Sequence, residues 1–309
     1  MVGNGSHSSG YLERYQDGQY REVWDELLQL GQAVFEEPLY TEAMAVARTM
    51  MRRVRVNIET LISRLLQIHF VFGYDHRLQE QLALALTSAH ARRQYQEMRA
   101  WANEQPLVFW PTRQQEEERA ETQQLLAQDA SLALFLEEEQ GEESHSKQRS
   151  DTLEHLASHI PLALHAWFEE IEAVNFFGYH SQWEQLAHSF HESAPTSYLM
   201  SSADPFQVRA LDEQQWQQVK NNLLKKQSYQ FEFAPDRHFK DYYGGTSTPY
   251  TLAFPQASVD AIMPTSYGTK TFVEYLRVSL SWAGFPGMMK WPKVPHDDLL
   301  FLTGDLLPF

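Results

Sequence analysis

The sequence predicts an α+β protein: an N-terminal helical bundle followed by an α+β domain with a mostly antiparallel or mixed sheet. Three observations predict it. Across 41–69, Ala43, Ala47, Met50, Val54, Ile58, Leu61, Leu65 and Ile68 recur at spacings of three and four, forming one stripe of a long helix. Only three of the 14 prolines fall in the first 150 residues, so helices there meet few breaks. Later, short aromatic and β-branched runs bounded by Pro, Gly and Asp read as strands.

Taken in order, residues 1–10 (MVGNGSHSSG) lack the basic start and apolar core of a secretory signal and are expected to form a flexible tail. A helical domain spans 11–136. Leu12, Tyr15, Tyr20, Val23, Trp24, Leu27 and Leu28 predict a helix or a broken pair, which Gly31 closes as a C-cap. Thr41 is the predicted N-cap of the long helix. Leu78, Leu82, Ala85, Ala89, Met98 and Trp101 mark a third helix, and Thr112 caps a fourth through Leu125, Leu126, Leu132, Phe135 and Leu136. The stretch 137–150 has no apolar residue with which to offset ordering entropy, and reads as an acidic linker.

The α+β domain then covers 151–309. Helices are expected at 151–157 and 161–172, with Pro161 in a first turn where its missing N–H costs little. Strands are expected at 174–177, 206–211, 229–233 and 250–254, and helices at 212–226 and 269–282. The triplets Phe72-Gly73-Tyr74 and Phe177-Gly178-Tyr179 sit in unlike surroundings and do not define a repeat.

Charge and composition narrow the function classes. The 309 residues carry 41 acidic and 25 basic side chains, a net charge of −16. Before residue 150 there are 15 basic against 23 acidic residues and after it 10 against 18, so each half carries −8. Such a surface repels phosphate backbones and anionic lipid heads, which argues against nucleic acid and membrane as partners. Having no cysteine, the chain has no disulfide, thiolate nucleophile or Cys-based metal site. No run approaches the ~20 apolar residues of a membrane span, and a cytoplasmic location is expected.

The candidate chemistry is sparse. His155 and His159 stand one helical turn apart, but position 156 is Leu where a zinc-protease helix needs Glu. His180, His188 and His191, with Glu184 and Glu192, offer mixed nitrogen and oxygen ligands; solvated surface histidines are the commoner explanation, and no metal or cofactor is assigned. Nucleophile-elbow, P-loop and dinucleotide-binding motifs are absent. The adjacent pairs Glu169-Glu170 and Asp297-Asp298 diverge on a helix and read as surface. The basic run from Arg48 to Arg55 lies within the long helix, where its role is pairing with neighbouring acids.

The distinctive segment is 233–245, FAPDRHFKDYYGG. Pro235 and Gly244-Gly245 impose turns, and Asp236, His238, Lys240, Tyr242 and Tyr243 gather ionisable and aromatic groups on one loop. Together with Gly244 and Gly245 they are the candidate binding residues. Trp282 and Phe285, in the Gly/Pro-rich corner 282–287, are candidate aromatic anchors.

The block 160–178, IPLALHAWFEEIEAVNFFG, with Asp204-Pro205-Phe206 downstream, resembles the opening motif of the SUKH superfamily, the group of yeast cell-wall-assembly regulators and bacterial toxin-immunity proteins. That motif has a Leu-Pro, a short apolar helix and a strand. Where it usually carries glycines after the helix, this chain has Glu172-Ala173. The remainder, including Gly244-Gly245, the run 272–277 and the run 284–287, resembles bacterial proteins without an assigned activity. The likeness covers 153–309 and implies an α+β domain that binds proteins and has no catalytic residues to carry over.

Two functional readings follow. One is a non-enzymatic protein-binding or immunity-type module, whose acidity favours a basic protein partner. The alternative is a metal-assisted or acid/base hydrolase using histidines and carboxylates of the C-terminal half, with Asp236, His238 and Lys240 foremost.

Overall fold

A computed structural model describes residues 10–72, 108–109, 160–188, 203–209, 211, 213–234, 250–263 and 268–309. Its elements are helices and small antiparallel sheets, the expected α+β class. The predicted third and fourth helices, the linker 137–150 and the helix at 151–157 lie outside the described residues.

Helices α1 (Tyr11–Gln16) and α2 (Tyr20–Leu30) are the broken pair. Between them Gly18 takes φ 99°, a left-handed conformation that costs glycine nothing. Gly31 caps α2 at φ 57° and leads into the 3-10 turn Gly31–Phe35. Helix α3 (Leu39–Gln67) begins before the predicted cap: Pro38 is its N-cap, and Thr41 Oγ1 instead donates to the Glu37 carboxylate. Its stripe is buried from Ala43 to Leu65.

Beyond α3, β1 (Val71–Phe72) pairs antiparallel with β4 (Gly178–Tyr179), with Phe72 opposite Gly178. The fold thus lays Phe72 of the first Phe-Gly-Tyr triplet beside Gly178 of the second. A second sheet orders β2 (Val108–Phe109), β3 (Ala173–Asn175) and β5 (Gln207–Val208), antiparallel throughout. The third is a pair, β6 (Tyr229–Ala234) and β7 (Tyr250–Phe254). A bond from the Arg209 N–H to the Phe233 oxygen, 2.6 Å, ties the end of β5 to β6.

The remaining α-helices among the described residues are α4 (Leu162–Glu170), α5 (Ser181–His188), α6 (Glu213–Leu224), α7 (Phe272–Ser281) and α8 (His296–Thr303). Helix α4 is buried at every position from Leu162 to Phe168, so its sequence shows no polar face. No side chain caps it. The Leu162 and Ala163 N–H groups donate to the Ser258 and Val259 oxygens at 3.2 and 2.9 Å, fastening the start of α4 to the segment before α7.

Buried residues of α1–α3 and of the second half belong to one hydrophobic cluster, from Tyr15 and Trp24 through Trp167 and Trp183 to Phe285. Trp167 meets Phe206 and Phe272 edge-on, at centroid distances of 6.2 and 5.4 Å. At Gly284, φ is 89° and an added Cβ would overlap the Phe176 ring, so glycine is required on both counts. Among the described residues no helix is long and apolar enough to cross a membrane.

Candidate functional site

Asp236, His238, Lys240, Tyr242, Tyr243, Gly244 and Gly245 lie outside the described residues, but both ends of their segment are placed. Ala234 and Tyr250 are register partners at the end of the β6–β7 ladder, just past an irregularity between Glu232 and Ala234. Residues 235–249 therefore leave and return at one point. That point rests on rings: Phe233 stacks on Tyr250 at 6.1 Å, and Tyr275 of α7 meets both edge-on at 5.7 and 5.9 Å. The Tyr275 hydroxyl donates to the Gln207 oxygen, and burial beside Asp204 drives its pKa well up, so it stays a neutral donor.

The aromatic corner divides. Trp282 is half-buried against the core, while Phe285 has no exposed surface. Its ring lies 5.2 Å from both Phe70 and Trp183 and 6.2 Å from Phe176, so it anchors the interior and offers no face to a partner.

The described histidines and carboxylates join elements. Glu169 receives Arg48 at 2.7 and 2.8 Å, and Glu170 receives Arg52 at 2.9 Å. Adjacent acids expected to solvate a surface thus pair with arginines one turn apart on α3. His165, 3% exposed, stands 3.3 Å from Glu169. Burial alone would raise the Glu169 pKa, but the hydrogen bonds from Arg48, with the His165 ring close by, outweigh it and hold it at about 2.

His180 is buried, with Nε2 donating to the Ile68 oxygen at 2.8 Å and Nδ1 facing the Trp183 N–H at 3.4 Å. Both ring nitrogens are committed to the scaffold, and burial lowers its pKa. The Trp183 indole N–H donates to Asp298 at 2.6 Å, linking α5 to α8. His155, His159, His191 and Glu192, like the side chains of His188 and Glu184, lie outside the described residues. Among the described residues no group of three or more His, Asp or Glu could hold a metal ion.

Asp260 is a buried acid, 2% exposed. Its carboxylate accepts the Val273 N–H at the start of α7, at 3.2 and 3.3 Å. Burial raises its pKa to about 6, against the lowering effect of hydrogen bonds from Thr271, Val273 and Ala261. The Trp24 indole also faces it without completing hydrogen-bond geometry.

A cavity of about 530 Å³ lies where the turn between α1 and α2 meets α3, α7 and the last four residues. Asn57 secures the lining: Nδ2 donates to the Leu307 oxygen at 2.8 Å and Oδ1 accepts the Leu307 N–H at 2.7 Å. Arg53 donates to the Pro308 oxygen at 2.6 Å and to the Tyr20 hydroxyl at 3.0 Å. Arg277 Nε donates to the Phe309 oxygen at 2.9 Å, while its buried Nη2 has no hydrogen-bond partner. Burial and the nearby charge of Arg21 push the Arg277 pKa down. Tyr20, Arg21, Arg53, Asn57 and Arg277 come from three distant segments, so no local motif announced their meeting. Arg53 lay in the basic run of α3, where it was expected to pair with an acid.

The fold and these sites define an α+β protein whose β6–β7 ladder ends on an aromatic base. Comparisons with protein-family models, curated proteins and solved structures found no match.

Proposed function

We propose that the chain is a non-enzymatic protein-binding module of the SUKH-like, immunity type, with the segment 235–249 as its recognition element. The observation that carries this reading is the paired, ring-supported base at Ala234 and Tyr250, which presents a segment rich in ionisable and aromatic residues from one fixed point. The resemblance has one further support. Glu172, standing where the SUKH motif carries glycine, holds φ 72°, the backbone region that glycine favours. A net charge of −16 suits a basic protein partner reached by electrostatic steering in the cytoplasm.

The test is affinity capture from the native host with the wild-type chain and with a triple variant, Asp236→Ala, His238→Ala and Lys240→Ala. A basic protein held by the wild type and lost from the triple variant is the expected result. Equal recovery by both chains, or no specific protein with either, rejects the reading. Turnover of an ester or phosphoester substrate abolished by the same substitutions would favour the hydrolase instead.

A further inference from the structure

We draw no further inference here: the strongest candidate, the surface patch where α6 ends, with exposed Lys220, Lys225 and Lys226 around an exposed Leu224, is accounted for by solvated lysines at a helix C-terminus, and nothing in the structure shows what covers it.

Discussion

Arg48 and Arg277 are both partly buried arginines on helices of one core, but their surroundings differ. Along the α3–α4 seam each arginine meets a glutamate, and Arg48 does so through two parallel bonds of 2.7 and 2.8 Å. Arg277 instead gives Nε to an oxygen of Phe309, while its buried Nη2 has no hydrogen-bond partner. A guanidinium given two carboxylate oxygens is compensated and holds helices together, whereas one buried with a donor unmet has its charge disfavoured, and the Arg277 pKa falls. What a given arginine does is set by the element packed opposite it.

The largest expected effect contrasts the acids of the two regions through pH. Asp260, close enough to Arg277 to act on its charge, has a folded pKa raised from 3.8 to about 6. The fold therefore favours its protonated form, and this stability is complete below pH 3.8 and lost as pH rises through 6. A shift of roughly two units corresponds to about 3 kcal/mol. Urea unfolding from pH 4 to 7 should show the decline, and Asp260→Asn should flatten it. An unchanged slope in the variant would remove Asp260 as its source.

The seam runs the other way. With the Glu169 pKa held at about 2 against a usual 4.5, its contribution is present above 4.5 and lost as pH falls through 2. Arg48→Met should cost about 1 kcal/mol at pH 7, reduced by the solvent exposure of Arg48, and should move acid unfolding to higher pH. Acid midpoints identical in wild type and variant would place the seam's strength in its apolar packing.

The smallest effect sharpens the contrast most. Arg21→Ala should change stability by less than about 0.5 kcal/mol at neutral pH, because the side chain is exposed and unpaired. A thermal midpoint lowered as far as by Arg48→Met would mean that Arg21 has a structural partner and that the cavity arginines resemble those of the seam.

Much of the framework was legible because it depends on short-range pattern. The stripe from Ala43 to Leu65, the cap at Gly31 and the strands at 229–233 and 250–254 all follow from local periodicity and turn chemistry. Helices α5 and α8 were missed, the second because it buries only Leu302 and so lacks a clear apolar stripe. Thr41 was misplaced as a cap because Pro38, already set for the first turn, starts the helix sooner.

The sequence by itself determined the α+β class, the acidity of both halves, the absence of thiol chemistry and a polar, aromatic segment between two strands. Tertiary structure alone decided that Phe285 is interior, that Glu169 and Glu170 clasp α3, and that Arg53 reaches the Tyr20 hydroxyl and the Pro308 oxygen. The physical reason is range. Backbone propensity and hydrophobic period act over a few residues and can be read along the chain, whereas charge compensation depends on which groups packing brings within a few ångströms, across as many as 255 positions of sequence.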